Sequence, residues 1–173
     1  RTDEVEDGEP SATDVVPAHD GGFVVLGSSD GGCSLRSVDG DGSARWIREY
    51  TDEAEKRCAS LVGTDDGGYA WVAEASGKPT VRVVDGEGAT EWHRSYTYDG
   101  TDPEGSGSLA AVVQLDDGGF VLVGRVSVVE NLDASPVWAV RTDADGNRVD
   151  DALLGYTPPV SRYHRVLDAV PTG

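Results

Sequence analysis

Aspartates in short glycine-containing turns are the residues whose types and spacing come closest to a metal site. The stretch "DGDG" places Asp39 and Asp41 at alternate positions, and "DADGN" does the same with Asp143 and Asp145. Carboxylates at alternate positions open the loops that bind calcium. The later acidic ligand of such a loop is not at the expected spacing, and Asp-x-x-Gly also suits a hairpin turn with a bulge. The sequence therefore favours plain turns and no cofactor, with calcium at these four aspartates as the weaker interpretation.

Nucleophilic catalysis has no clear signature in the chain. His19, His93 and His164 are isolated from one another, and no Gly-x-Ser-x-Gly motif is present. A pair of carboxylates for glycoside hydrolysis could be drawn from so many acidic residues that its availability carries no weight. Enzyme activity is therefore the weaker of two functional hypotheses.

The stretch "GYTPPVSRYH" is the best candidate for a partner-binding loop. It combines aromatic and cationic side chains without a carboxylate, and its candidate contact residues are Tyr156, Arg162, Tyr163 and His164. Binding residues concentrate on loops that a rigid scaffold positions. The alternative, which the sequence favours equally, is that this stretch is an ordered, proline-rich linker and binds no partner.

The charge of the chain excludes two classes of partner. Its 32 acidic and 14 basic residues give a formal net charge of −18, which repels nucleic acid and anionic membranes. No apolar run reaches the roughly 18 residues needed to span a bilayer. Twelve of the basic residues are Arg and 21 of the acidic ones are Asp, a balance that resembles proteins of extreme halophiles.

Internal repetition predicts the fold. The phrases "HDGGFVVLG", "DDGGYAWVA" and "DDGGFVLVG" place Asp20, Asp66 and Asp117 at spacings of 46 and 51 residues. We expect the 173 residues to form one domain of three repeats, at residues 14–50, 59–96 and 109–156, with a partial fourth at 165–173. Turn residues divide each repeat into four strands and predict an all-β fold without helix. In the first repeat the predicted strands are Asp14–Ala18, Phe23–Gly27, Cys33–Val38 and Ala44–Tyr50.

Two further patterns concern the packing of the repeats. The second strand is apolar at successive positions, as in Phe23 to Leu26, which predicts that both faces of each sheet are covered. The fourth strand reads Trp-x-Arg-x-Tyr at 46–50 and at 92–96, which places all three side chains on one face. We expect this stripe to pack one sheet on the next, and a ligand-stacking platform is the alternative. The third repeat has Asp150 at the Trp position.

These phrases resemble the DGG-type β-propeller repeats of secreted and surface proteins of archaea and bacteria, and "WAVRTDADGNRV" is the closest match. The resemblance covers roughly residues 14–173 and implies a propeller-like array of three four-stranded blades plus an extra C-terminal strand. Three blades are too few to close a ring. The array is then part of a longer propeller, or it completes a ring with a protein partner or other copies. A β-trefoil is the threefold alternative.

The predicted function is a non-enzymatic, extracellular or cell-surface scaffold or protein-interaction module adapted to high salt, in a halophilic archaeon. The alternative is a propeller-based enzyme of quinoprotein or lyase type, with a central or loop-face pocket.

Cys33 and Cys58 are the two cysteines of the chain. A disulfide suits a secreted protein, and two buried thiols are nearly as plausible.

We predict that the chain needs salt to stay folded. The Debye length falls from about 10 Å at 0.1 M salt to about 3 Å at 1 M, so molar KCl suppresses the mutual repulsion of the carboxylates. The melting temperature, followed by circular dichroism, should fall steeply as KCl is lowered from molar to millimolar concentration. Sucrose at matched osmolality should raise it much less than KCl does, because sucrose stabilises through exclusion from the protein surface and does not screen charge. A melting temperature independent of KCl would contradict the prediction.

Overall fold

A computed structural model describes residues 11–29, 31–51, 55–76, 78–98, 107–126 and 136–154. Twelve strands in these ranges form three antiparallel sheets of four strands, each sheet built from one repeat in chain order. No helix occurs among the described residues, and so none there could cross a membrane.

Strand bounds follow the turn residues. Sheet 1 contains β1 (Ser11–Pro17), β2 (Phe23–Ser29), β3 (Gly32–Val38) and β4 (Ala44–Tyr50). Sheet 2 contains β5 (Glu55–Gly63), β6 (Tyr69–Ala75), β7 (Lys78–Val84) and β8 (Thr90–Ser95). Sheet 3 contains β9 (Gly107–Gln114), β10 (Phe120–Val126), β11 (Val137–Thr142) and β12 (Arg148–Leu154).

The predicted fold class is confirmed. Each predicted strand of the first repeat overlaps an observed one, although β1 begins at Ser11, three residues before the predicted start at Asp14. Because every repeat forms its own separate sheet, the array is propeller-like and the β-trefoil alternative is wrong. The partial fourth repeat at 165–173 lies outside the described residues.

The three sheets stack in chain order and bury two apolar cores. One core, between sheets 1 and 2, contains Leu26, Leu35 and Trp71, and the other, between sheets 2 and 3, contains Val72 and Leu122. Sheet 2 contributes to both cores, and Tyr69 to Ala73 of β6 are all buried. Consecutive residues of β6 are apolar because both faces of sheet 2 are covered by a neighbouring sheet.

A disulfide joins the first two sheets. Cys33 of β3 and Cys58 of β5 are bonded, with their Cα atoms 5.8 Å apart, and they are 2% and 3% exposed. The disulfide hypothesis is therefore confirmed over two reduced thiols. The bond fixes the contact between two sheets that share no backbone hydrogen-bond ladder.

Reduction of this disulfide should destabilise the fold. A cross-link closing 25 residues restricts the unfolded chain, and such bonds contribute about 3 kcal/mol. Urea unfolding in molar KCl should show that loss in free energy of unfolding when a phosphine reductant is added. The Cys33→Ser/Cys58→Ser double variant is the matched control, because its lower stability should not respond to the reductant. Equal stability of the oxidised and reduced protein would contradict the expectation.

Candidate binding interface

The outer face of sheet 1, on the side away from sheet 2, is apolar and open. The strand register brings six apolar side chains and three polar ones to this face, which we call the receiving face: Val15, Pro17, Phe23, Val25, Val38 and Ile47, with Arg36 near the centre and Ser34 and Glu49 beside Gly27. Val15 is 54% exposed, Phe23 48% and Ile47 46%. The prediction that both faces of every sheet are covered is therefore wrong for sheet 1.

The positions equivalent to Phe23 and Arg36 are buried in the other two sheets. Phe23 corresponds to Tyr69, 3% exposed, and to Phe120, 2% exposed. Arg36 is exposed, whereas its counterpart in sheet 2, Arg82, is 2% exposed. The three repeats therefore have the same face, and the difference is that a preceding sheet covers it in sheets 2 and 3.

The Trp of the fourth strand covers the aromatic residue of the next sheet. The ring centroids of Trp46 and Tyr69 are 6.5 Å apart, and those of Trp92 and Phe120 are 5.7 Å apart. The Trp-x-Arg-x-Tyr stripe thus packs one sheet on the next, which is the structural interpretation favoured from sequence.

The Tyr of the same strand bonds to a turn in the next sheet. The Tyr50 hydroxyl donates to the Gly88 carbonyl at 2.8 Å, and the Tyr96 hydroxyl donates to the Gly146 carbonyl at 2.9 Å. Burial raises the pKa of Tyr96 to about 12 and raises the pKa of Tyr50 as well, since the phenolate is poorly solvated there. Both hydroxyls therefore remain protonated donors at neutral pH.

A buried ion pair lies beneath Tyr50. Arg82 Nε donates to Glu55 Oε1 at 3.0 Å, and Arg82 Nη1 donates to Thr90 Oγ1 at 2.9 Å. The guanidinium carbon lies 5.2 Å from the centroid of the Tyr50 ring, a cation–π distance. Sheet 1 thus shields a charged pair that belongs entirely to sheet 2.

The first strands carry a second inter-sheet contact that the sequence analysis missed. Leu61 N donates to Asp14 Oδ2 at 2.8 Å, and Val112 N donates to Ser60 Oγ at 3.1 Å. Asp14 and Ser60 are at β-bulges, where strict alternation of faces fails. Their spacing of 46 residues, the same as that between the first two Asp-Gly-Gly turns, was the available signal.

The fourth strand of sheet 3 lacks the Trp and the Tyr that make the inter-sheet contacts at β4 and β8. Asp150 pairs with Arg141 as Trp46 pairs with Ser37, and Leu154 occupies the place of Tyr50. Leu154 is 51% exposed. The edge of the third repeat is therefore different in chemistry, as its sequence indicated.

The proposed calcium residues are in separate hairpin turns. Asp39 Oδ1 accepts from the backbone N of Asp41 at 3.0 Å and of Ser43 at 2.8 Å. Asp143 accepts from Asn147 through both carboxylate oxygens, and these bonds lower its pKa. Both carboxylates thus cap their own turns, and Asp145 offers its backbone carbonyl to Arg94. No group of three or more potential metal ligands occurs within the described residues.

The proposed partner-binding residues Tyr156, Arg162, Tyr163 and His164 lie outside the described residues.

An acidic groove of about 380 Å³ opens between sheets 2 and 3, beside Trp92 and Phe120. It is lined by the carboxylates Asp65, Asp66, Glu91, Asp116 and Asp117. Hydrogen bonds from Thr64 and Gly68 lower the pKa of Asp66, and bonds from Gly119 and Arg141 lower that of Asp117. A general acid for glycoside hydrolysis needs the opposite shift, because it must be protonated at neutral pH.

No protein-family model and no curated protein matches the chain. Solved structures resemble it in fold. An α-L-arabinofuranosidase from Clostridium thermocellum ATCC 27405 matches with a TM-score of 0.53 and 9% identity, covering 84% of this chain and 50% of that one. A protein named as an exo-beta-1,3-galactanase from Bifidobacterium bifidum s17 matches with a TM-score of 0.50 and 17% identity, covering 91% and 57%.

Both neighbours are β-propeller enzymes, which agrees with the propeller-like stacking of the three sheets. The chain spans about half the length of each of them, 50% and 57%. At these identities the likeness shows the fold alone.

We predict that the turn glycines tolerate substitution according to whether a preceding sheet covers them. A Cβ on Gly146 would lie 2.6 Å from the Trp92 ring, whereas one on Gly42 meets nothing within 4 Å. Both glycines have positive φ, +76° and +85°, so backbone strain is matched. Gly146→Ala should therefore cost about 1–3 kcal/mol more than Gly42→Ala, measured by urea unfolding in molar KCl. Equal losses would show that the Trp92 contact is loose.

Proposed function

We propose that the chain is a non-enzymatic β-propeller repeat module that serves as a scaffold or protein-interaction subunit. The observation that carries this proposal is the receiving face. Soluble proteins rarely leave a contiguous apolar sheet face open, and such patches mark interaction sites. Here Val15, Phe23 and Ile47 are each about half exposed, at 54%, 48% and 46%, while the equivalents of Phe23 are buried by a neighbouring sheet.

The proposed setting is an extracellular or cell-surface one with high salt, in a halophilic archaeon whose proteins carry DGG-type repeats. The Cys33–Cys58 disulfide supports an oxidising compartment. The net charge of −18, with few lysines, supports a salt-rich solvent. The role in an assembly is supported by the receiving face, since open apolar patches of this kind mark interaction sites.

An enzymatic role is the alternative, and the acidic groove between sheets 2 and 3 would be its site. Its support is the likeness in fold to two glycoside hydrolases. Against it, Asp66 and Asp117 are engaged in turns and have lowered pKa values. The receiving face is therefore the better-supported functional surface.

Photo-cross-linking from the receiving face tests the proposal. The chain is produced in the cells that make it, with benzoylphenylalanine replacing Phe23 or, as a control, the exposed turn residue Asp41. Position 23 should cross-link to one partner in good yield, with the attachment site mapped by mass spectrometry to a β-strand, and position 41 should not. We expect this because burial of the receiving face requires close contact at Phe23.

Two results would contradict the proposed function. One is equal cross-linking from positions 23 and 41, which would indicate random encounters. The other is hydrolysis of arabinofuranosides or galactans in molar KCl that is abolished by Asp65→Asn or Asp116→Asn, two changes in the acidic groove. Loss of activity in those variants would assign the function to the groove.

A further inference from the structure

The chemistry of the occupant of the receiving face can be inferred from the two interfaces inside the chain. Both are made by a fourth strand that brings a Trp ring onto the aromatic residue of the next sheet and a Tyr hydroxyl onto the carbonyl of a turn glycine. Sheet 1 has every receiving group of this arrangement. This inference rests on the proposed function, because it names the partner of the same surface.

Three groups of sheet 1 correspond to the groups that receive the stripe elsewhere. Phe23 corresponds to Tyr69 and Phe120, and Gly42 corresponds to Gly88 and Gly146. The φ angles of Gly42, Gly88 and Gly146 are +85°, +80° and +76°, so the three turns have closely similar backbone conformations at this glycine. The Gly42 turn is open, since an added Cβ there meets nothing within 4 Å.

Arg36 supplies a third group. Its counterpart Arg82 lies under the ring of Tyr50, with the guanidinium 5.2 Å from the ring centroid. Arg36 is exposed on the same face of sheet 1 as Phe23. An incoming Tyr that reached the Gly42 carbonyl would therefore pass over Arg36, as Tyr50 passes over Arg82.

We propose that the receiving face binds a four-stranded sheet of the same repeat type, from outside these 173 residues, whose fourth strand carries Trp-x-Arg-x-Tyr. Its Trp packs on Phe23, its Tyr hydroxyl donates to the Gly42 carbonyl, and its Tyr ring covers Arg36. A second copy of this chain is the poorer occupant. Its own free fourth strand, β12, has Asp150 and Leu154 where Trp and Tyr are required.

The structure offers a gain-of-function test in which the chain is given the missing stripe. The variant carries Asp150→Trp, Ala152→Arg and Leu154→Tyr, three positions that pair with β11 as 46, 48 and 50 pair with β3. We expect copies to associate head to tail, with a dissociation constant at least about tenfold below that of the wild-type chain, because aromatic anchors dominate interface energies. Light scattering and sedimentation in molar KCl over a concentration series measure it.

Two changes in this background test the geometry. Phe23→Ser should return the mass to that of the wild-type chain. Replacing Leu154→Tyr by Leu154→Phe keeps the ring and removes the hydroxyl, and it should weaken association about fivefold, the effect of one hydrogen bond of about 1 kcal/mol. Circular dichroism verifies folding, and should the triple variant unfold, Asp150→Trp alone carries the same comparison with and without Phe23→Ser.

The proposal is overturned when the folded variant keeps the wild-type mass at all concentrations. It is also overturned when association persists after Phe23→Ser. Either result leaves the proposed function standing if position 23 still cross-links to a partner, because that experiment does not depend on the partner's sequence. A third result separates the two proposals. If the variant associates through Phe23 but position 23 does not cross-link in cells, the proposed interaction function is rejected, and the inference that the receiving face binds a Trp-x-Arg-x-Tyr strand is kept.

Discussion

The contact between the fourth strand of one sheet and the second strand and turn of the next is the interaction on which the array depends. A four-stranded sheet on its own leaves both faces in water, and the sequence makes both faces apolar. Each sheet can therefore be stable only with neighbours. The Trp ring packs on the aromatic residue of the next sheet, and the Tyr hydroxyl fixes the direction of approach through its bond to the Gly88 or Gly146 carbonyl.

The conformation of the turn glycine is linked to this contact. Positive φ lets Gly146 close the hairpin, with its amide bonded to the Asp143 carbonyl at 3.1 Å. The missing side chain then lets the Trp92 ring approach the turn, where a Cβ would be 2.6 Å away. The Asp-x-x-Gly phrase therefore serves the hairpin within one sheet and the docking of the preceding sheet, and a calcium site is not needed to explain its recurrence.

The buried pair of Arg82 and Glu55 shows how the two interfaces differ. Taking two charges out of water is costly, and apolar replacements of such pairs are often equally stable. Between sheets 2 and 3 the equivalent position is Val140, buried and apolar. We regard the pair as a device for specificity, because Tyr50 covers a cation in the first interface, whereas the second interface has an aliphatic side chain at the position of that cation. The exposed Arg36 would make the receiving face resemble the first interface, in which a Tyr ring covers an arginine.

Much of the fold was predictable because turn chemistry and alternation are local. Three repeats, four strands in each and the inter-sheet role of the Trp-x-Arg-x-Tyr stripe all follow from such patterns. The open face was not predictable, since Phe23 has the same local sequence as Tyr69 and Phe120, and its exposure depends on what lies in front of sheet 1. The bonds from Leu61 and Val112 were missed because a bulge shifts Asp14 and Ser60 out of the alternating pattern.

The kinds of contact used between sheets fit the salt-rich solvent that the composition predicts. Salt screens exposed ion pairs such as Arg45 with Asp20, which lies within one sheet and contributes little in any case. The sheets are joined instead by aromatic burial, by hydrogen bonds to backbone groups and by the Cys33–Cys58 disulfide. Apolar burial does not depend on charge, and the disulfide is covalent. An interface of this kind keeps its strength at molar salt, which is the condition in which the composition predicts that the acidic surface ceases to repel itself.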